Sequence, residues 1–145
     1  MKAMVFLITD EGLITIDNIT MIAGGTGITP MYQIIRYITL LKNDKTKISL
    51  IYANRSRDDI MLYEELKNLK KNLGEIQFKI HFILTNPPSE WNEGKGKINK
   101  KTIYEHAWLP SESTIALICG RPAINDTMMD LLEEVGYKAN KIYLF

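Results

Sequence analysis

Three glycines within four residues, Gly24, Gly25 and Gly27, interrupt an apolar run and precede a segment with helical spacing. Where a strand turns into a helix, the first backbone N–H groups have no partner inside the helix, and the helix dipole favours negative charge there. Glycine has no Cβ, so an anion can come close to the main chain. Thr26 adds a hydroxyl, and Pro30 suits the first helical turn, where its missing N–H costs little. The segment therefore predicts an anion site.

A diphosphate fits such a turn, and a dinucleotide is its natural source. The pattern is Gly-x-Gly-x-x-Pro rather than Gly-x-Gly-x-x-Gly, and no Lys-Ser or Lys-Thr pair follows as in a P-loop. A glycine-rich turn that serves only tight packing is the alternative. The cofactor contacts predicted at this turn are Gly24, Gly25, Thr26, Gly27, Thr29 and Pro30.

The elements that must position this turn alternate between strand and helix patterns from about residue 19 onward. Apolar residues recur at helical spacing in 31–41, 62–73 and 124–135, and a short helix is expected at 99–106. Apolar or β-branched runs predict five strands, at 19–23, 47–54, 76–85, 114–119 and 141–145. Ser56 and Asp59 have capping-box spacing ahead of the second helix, and residues 86–96, rich in proline and glycine, predict a loop.

Near-continuous apolar strands separated by helices predict an α/β fold with a five-stranded, parallel, doubly wound sheet in the order 3-2-1-4-5. Ligands bind such sheets beyond the carboxyl ends of the strands, where the winding direction reverses. The glycine turn follows the first of these strands, and Cys119 and Gly120 follow the fourth. We therefore expect these two loops to face one crevice.

Residues 1–18 do not fit this alternation. Two short β runs, Val5 to Ile8 and Leu13 to Ile16, flank a turn and predict a β-hairpin. A hairpin alone is marginally stable in water. We therefore expect residues 1–18 to be the end of a larger β structure, and residues 19–145 to form one dinucleotide-binding domain.

Composition argues against several classes of function. The net charge of +1 over 145 residues gives no reason to expect nucleic acid as a partner. The single cysteine excludes an internal disulfide, and with two histidines no metal site is predicted. No run approaches the roughly 18 apolar residues that a membrane span needs. The composition is that of an ordinary globular domain.

Five segments, in order, resemble the cytochrome b5 reductase family of the ferredoxin-NADP reductase superfamily, and the flavoprotein half of nitrate reductase is similar. They are MIAGGTGITPMYQIIR, IYANRSRDDIMLYEEL, the loop from Trp91 to Ile98, ICGRPA and IYLF. The resemblance covers nearly the whole chain from Thr20 to Phe145. It implies a C-terminal pyridine-nucleotide domain that follows an antiparallel FAD-binding barrel. Neither that barrel nor its Arg-x-Tyr-Ser/Thr signature occurs here, so the chain is expected to be a fragment, or an incomplete gene model, of a two-domain enzyme and inactive alone.

The resemblance implies an oxidoreductase in which a nicotinamide passes a hydride to FAD, and FAD passes electrons to a haem protein such as cytochrome b5. Cys119 then helps to place the nicotinamide ring for hydride transfer without acting as a nucleophile, beside Gly120 and Pro122. Phe145 matches a terminal aromatic residue near the flavin. Arg121 replaces a proline of the family. A small buried hydrophobe at the end of a strand is the alternative reading of Cys119.

Two positions bear on cofactor choice. NADH-preferring members carry an acidic residue after the third strand, and Asn86 stands there in this chain. Lys97 replaces an aromatic residue that lies against the adenosine, and a lysine there suits the 2′-phosphate of NADPH. A solvated surface lysine is the alternative. NADH is the expected cofactor, with NADPH tolerated, and FAD enters through the barrel domain.

Other functions and partners are also implied. The alternatives are a non-catalytic nucleotide-binding module without flavin and the reductase portion of a nitrate reductase. The expected partners are the FAD-binding domain and an acidic haem protein, to whose docking Lys67, Lys70 and Lys71 are expected to contribute. A solvated helix face is the alternative reading of these lysines. The expected location is the cytoplasmic side, with membrane association through upstream sequence. His81 and His106 are expected to be structural, and Asn54 and Asp59 match a segment near the adenosine, with a turn residue and a helix cap as the alternatives.

Overall fold

An antiparallel pair of strands precedes the main sheet in the computed structural model, which describes residues 5–9, 12–41 and 43–145. β1 (Val5–Thr9) pairs with β2 (Gly12–Ile16), with Val5 opposite Ile16 and Thr9 opposite Gly12. The predicted pairing is confirmed, and the two central residues of its turn lie outside the described residues. Ile16 is buried in the core of the main domain, so the second strand of the hairpin is anchored there.

The main sheet has six parallel strands in the order β6-β5-β4-β3-β7-β8. They are β3 (Asn18–Gly24), β4 (Lys47–Asn54), β5 (Phe78–Leu84), β6 (Gly94–Lys95), β7 (Thr114–Cys119) and β8 (Ile142–Leu144). The predicted order of five strands is confirmed. The prediction of a loop over residues 86–96 was wrong at the edge strand β6, because two residues are too few to show the period of a strand.

Within the described residues, four α-helices connect the strands: α1 (Ile28–Leu40), α2 (Tyr63–Leu73), α3 (Lys100–His106) and α4 (Pro122–Glu134). Each overlaps a segment predicted to be helical. The capping box of Ser56 and Asp59 is present, but it caps a short 3-10 turn (Arg57–Asp59) rather than α2. Within the described ranges, no helix combines the length and the hydropathy needed to cross a membrane.

Helices cover both faces of the sheet, as a doubly wound fold requires. On one face, α1 and α2 pack Ile35 and Leu66 into the same core as Met21 of β3. On the other face, α3 and α4 join a second core that contains Ile22, the next residue along β3. Because successive side chains of a strand point to opposite faces, one central strand supports both cores. Its near-continuous burial is typical of a parallel strand covered on both sides.

The register brings the ends of three central strands to one edge. Ala23 lies opposite Cys119 of β7, and Gly24 lies opposite Ala53 of β4. Parallel strands place all their carboxyl ends on the same side of a sheet. The loops that follow β3 and β7 therefore lie side by side at one edge of the sheet, where a crevice between them was predicted, and the loop after β4 lies beside them.

Candidate functional site

The chain leaves β3 at Gly24 and forms a single 3-10 turn, Gly25–Gly27, before α1 begins at Ile28. Gly25 has φ of 53°, a left-handed conformation that side chains rarely adopt and glycine adopts freely. Pro30 lies in the first turn of α1, where the helix needs no N–H from it. Gly25 is therefore required by the turn itself, independently of any ligand.

Gly27 brings this turn into direct contact with the end of β7. A Cβ built on Gly27 would lie 2.0 Å from the carbonyl oxygen of Cys119 and 2.6 Å from its carbonyl carbon. Gly120 lies against the same turn, since a Cβ there would stand 3.7 Å from the nitrogen of Gly24. The predicted meeting of the glycine turn with Cys119 and Gly120 is therefore present in the fold.

The outer side of the turn is suited to an anion. A Cβ built on Gly24 or Gly25 would meet no atom of the described residues within 4 Å apart from its chain neighbours. Within the same described ranges, no side chain caps the N-terminus of α1. Thr26 and Thr29 are exposed beside it. A helix start without a side-chain cap, open space and hydroxyls together fit a diphosphate group.

Tyr52, a residue that sequence reasoning passed over, ties the turn to β4. It is fully buried, its hydroxyl donates to the carbonyl oxygen of Gly25 at 3.1 Å, and the hydroxyl accepts the N–H of Met61 at 3.1 Å. Burial raises the pKa of the Tyr52 phenol, while the side chain of Asn54 and the backbone of Met61 act in the opposite direction. A tyrosine inside an apolar strand must find hydrogen-bond partners for its hydroxyl. That requirement, visible in the sequence, could have identified Tyr52 as a residue that holds a neighbouring loop.

The Cys119 loop is held by α4. Cys119 is a half-buried free thiol, and the carbonyl of the next residue, Gly120, accepts a hydrogen bond from Asn125 Nδ2 at 3.1 Å. Pro122 is the first residue of α4, and Arg121 before it is exposed. Asn125 was also missed, because an asparagine in the first turn of a helix is common for reasons of capping alone.

Phe145 lies beside this loop. Its N–H donates to the carbonyl of Ile118 at 3.0 Å, and its side chain is exposed. The structure therefore brings Phe145 to the carboxyl end of β7, near Cys119.

Asn86 and Lys97 lie at the other end of the crevice. Both are exposed, and they follow β5 and β6. The N–H of Asn86 donates to the carbonyl of Arg55 at 2.8 Å, and the N–H of Gly96 donates to that of Leu84 at 2.8 Å. β5 and β7 are three strand spacings apart, about 14 Å. The predicted residues thus form two groups along this edge of the sheet.

Asp59 belongs to a capping box, as its alternative reading held. Its Oδ2 accepts from the N–H and the hydroxyl of Ser56 at 3.1 and 2.8 Å. Asn54 is buried at the carboxyl end of β4, and its Nδ2 has no acceptor in the described part of the chain. The Asn54 side chain also lies close enough to the Tyr52 hydroxyl to lower the pKa of that phenol, so it belongs to the same group of contacts as Tyr52.

The two histidines lie outside the crevice and stack on each other. Their ring centroids are 3.6 Å apart, with an angle of 10° between the planes. Burial and the neighbouring His106 lower the pKa of His81 to about 4, while Glu105 acts in the opposite direction. Burial likewise lowers the pKa of His106. His81 also packs against the backbone of Gly94, where a Cβ would lie 2.5 Å from its Nε2. The pair joins β5, α3 and β6, so its role is structural.

A cleft of about 180 Å³ lies where β7 begins, at the opposite end of the strand from the glycine turn. Lys141 lines it, and its Nζ donates to the carbonyl of Glu112 at 2.7 Å. None of the predicted site residues lines this cleft.

Comparison with known proteins agrees with this geometry. The sequence profile of the oxidoreductase NAD-binding domain matches residues 21–130. The chain is 41% identical over 128 residues to NADH-cytochrome b5 reductase 1 of Dictyostelium discoideum, covering 88% of this chain and 44% of that protein. It is 45% identical over 125 residues to NADH-cytochrome b5 reductase 1 of Arabidopsis thaliana, covering 86% and 44%. The chain thus spans less than half the length of these curated relatives.

A solved structure shows the same fold. The cytochrome b5 reductase domain of Ulva prolifera nitrate reductase superposes with a TM-score of 0.88 at 32% identity, covering 92% of this chain and 50% of that one. The profile match includes the glycine turn, Tyr52 and Cys119, the residues that meet at the crevice. This chain belongs to the oxidoreductase NAD-binding domain family.

Proposed function

We propose that this chain is the pyridine-nucleotide half of a flavin-dependent reductase of the cytochrome b5 reductase type. The main support is the direct contact between the glycine turn and the end of β7, where Gly27 lies against the Cys119 carbonyl. NADH, when bound, supplies a hydride to an FAD held by a neighbouring domain, from which electrons pass to a haem protein. Close placement of the two rings is what such a transfer requires of the protein.

The residues of the chain bind and orient the dinucleotide. The free N–H groups of the glycine turn and the Thr26 hydroxyl hold the diphosphate, and Thr29 stands beside them. The Cys119 thiol and Gly120 form a wall against the nicotinamide ring. Cys119 orients the ring and forms no covalent bond to it. Pro122 and Phe145 border the same end of the crevice.

The proposed electron acceptor is an acidic haem protein such as cytochrome b5, docking on the lysines of α2. Lys71 is exposed, and the Lys70 Nζ lies 3.5 Å from Glu75 Oε1. Lys67 Nζ lies 5.0 Å from the centre of the Tyr63 ring, so its position is partly fixed. Surface charges of this kind act mainly on the rate of association.

The test measures binding and electron transfer separately. NADH is titrated into the 145-residue protein by calorimetry and by amide NMR, with shifts expected at Gly25–Gly27 and Cys119. NADH-dependent reduction of ferricyanide and of cytochrome b5 is then assayed with and without an added FAD-binding domain from a related reductase. We expect activity only with that domain, and a rate with cytochrome b5 that falls as salt rises.

Two results would contradict the proposal. If those amides do not move at millimolar NADH, the crevice is not a dinucleotide site. If NADH binds but no FAD-binding domain restores electron transfer, the chain is a nucleotide-binding module without flavin chemistry.

Tolerance of NADPH is part of the same proposal. Arg55 and Lys97 are exposed at the corner where β4, β5 and β6 end, with neutral Asn86 between them in the strand order. The Asn86 N–H reaches the carbonyl of Arg55, so the two loops are adjacent. A cationic corner without a carboxylate at position 86 favours a 2′-phosphate on the ribose.

The cofactor prediction is tested with Lys97→Ala. The dissociation constant for NADPH should rise about threefold, as for loss of one exposed charge pair, while that for NADH stays unchanged. Lys101→Ala, at an exposed lysine of α3, is the matched control and should change neither constant. A preference of the unaltered protein for NADH above about a hundredfold would contradict NADPH tolerance.

A further inference from the structure

The Tyr52 hydroxyl lies between two loops that come from different strands. It donates to the carbonyl of Gly25 after β3 and accepts the N–H of Met61 after β4, both at 3.1 Å. We propose that Tyr52 is a positioning residue that fixes the Gly25–Thr26 peptide in the orientation a dinucleotide's diphosphate requires. This inference rests on the proposed function and extends it to a residue outside the glycine turn.

The orientation follows from the geometry of the peptide group. A trans peptide is planar, so its C=O and the following N–H point in opposite directions. The Gly25 carbonyl is held by the Tyr52 hydroxyl and by the N–H of Ile28. The N–H of Thr26 therefore points away from Tyr52 and its strand, β4. In the reversed orientation, a carbonyl oxygen would face the anion in place of a donor.

Glycine by itself does not secure this orientation. Gly25 has φ of 53° and no Cβ, so several backbone conformations are open to it. Open space above Gly24 and Gly25 leaves no side-chain neighbour there to restrain the peptide. The N–H of Ile28 restrains the Gly25 carbonyl from within the turn, and the Tyr52 hydroxyl adds a second restraint from β4.

The ring of Tyr52 does not need its hydroxyl in order to pack. The ring is fully buried, with its centroid 6.1 Å from that of Phe82, and phenylalanine would fill the same space. Burying a hydroxyl is unfavourable unless it finds partners. Two of the groups bonded to it are backbone groups of the loops after β3 and β4, so the hydroxyl is placed to hold these loops.

The second partner lies beside a strained residue. Leu62 follows Met61 and has φ of 60°, a left-handed conformation that is rare for a branched side chain. Such a conformation persists only where the surroundings restrain it. The hydrogen bond from Met61 to Tyr52 is one such restraint, so the hydroxyl couples the segment after β4 to the glycine turn.

The experiment compares Tyr52→Phe with the unaltered protein. Loss of one positioning hydrogen bond should weaken NADH binding about fivefold, measured by calorimetry. Binding of adenosine, which has no phosphate and is followed by NMR titration, should stay unchanged. A general loss of stability would weaken the binding of both ligands. Loss of affinity for NADH alone, the ligand that carries the diphosphate, is therefore specific to the proposed role.

Tyr137→Phe is the matched control. Tyr137 is also buried, and its hydroxyl bonds to Thr20 Oγ1 at 2.9 Å and to the carbonyl of Trp108 at 2.6 Å, in the other core. This variant should lose comparable stability and keep its NADH affinity. Unchanged NADH affinity in Tyr52→Phe, an equal loss in Tyr137→Phe, or an equal loss for adenosine would overturn the inference.

A measurement on the unaltered protein covers the case in which Tyr52→Phe does not fold. Bound NADH should slow hydrogen exchange at the Met61 amide several-fold, because the ligand holds the turn and the turn holds Tyr52. An unchanged Met61 exchange rate in the NADH-bound protein would overturn the inference. Failure of the unaltered protein to bind NADH would overturn the proposed function instead, so the two failures are distinct.

Discussion

At the scale of single residues, neighbouring glycines of one turn serve different purposes. The backbone of Cys119 leaves no room for a side chain at position 27. Gly24, in contrast, faces open space and has φ of −126°, a value that any residue adopts. Gly25 is required by its left-handed conformation. The three-glycine pattern in the sequence therefore combines a contact, a backbone requirement and an approach path for a ligand.

This difference predicts that two substitutions, both of which weaken NADH binding, differ in their effect on the free energy of unfolding. Gly27→Ala places a Cβ 2.0 Å from the Cys119 oxygen, so the free energy of unfolding should fall by about 2 kcal/mol and NADH binding should weaken about tenfold or more as the loops separate. Gly24→Ala should leave stability within about 0.5 kcal/mol of the unaltered protein and still weaken NADH binding. Urea unfolding and calorimetry measure both. Equal stability of the two variants would contradict the contact.

At the scale of elements, two helices of this fold begin in different ways. α3 begins with a capping box, in which Asn99 Oδ1 accepts the N–H of Thr102 at 3.0 Å and the Asn99 N–H donates to the Thr102 hydroxyl at 3.2 Å. α1 follows the glycine turn, and no described side chain caps it. Backbone N–H groups at the start of α3 thus find acceptors within the chain, whereas the start of α1 is left open for an external anion.

Asn99→Ala tests the capped helix. The free energy of unfolding should fall by about 1 kcal/mol, because the N–H of Thr102 loses its acceptor. Asn92→Ala, an exposed asparagine in the preceding loop, should change it little. Chemical denaturation gives both values, and NADH affinity should be unaffected by either change. A neutral effect of Asn99→Ala would show that the cap does not contribute to stability.

At the scale of the whole molecule, the stacked histidines join an edge of the sheet to α3. Burial and His106 lower the pKa of His81 to about 4, against about 6.5 for an unfolded chain. As pH falls below 6.5, the unfolded chain binds a proton before the folded one does, so stability is lost between pH 6.5 and 4. The lowered pKa of His106 acts in the same direction.

The pH dependence is measured by urea unfolding at pH 7 and pH 4.5. His81 should account for a loss of about 1.5 kcal/mol in the free energy of unfolding, a value reduced for solvent screening of a half-exposed ring. His81→Phe keeps a flat ring against His106 and removes the titrating group, so its loss over the same interval should be smaller by that amount. Identical pH profiles for the two proteins would show that folding does not lower the pKa of His81.

The sequence by itself determined the kind and order of the main elements, their parallel doubly wound arrangement and the glycine turn with Cys119 at a shared edge. These features follow from the periodicity of apolar residues and from the backbone conformations that local residues such as glycine allow, both of which are set by residues close together in the chain. Only the tertiary structure decided that Gly27 must contact Cys119, that Tyr52 holds the turn, that the two histidines stack and that Gly94 and Lys95 extend the sheet. Each of these depends on groups distant in sequence that meet only when the sheet assembles, and no local pattern encodes such a meeting.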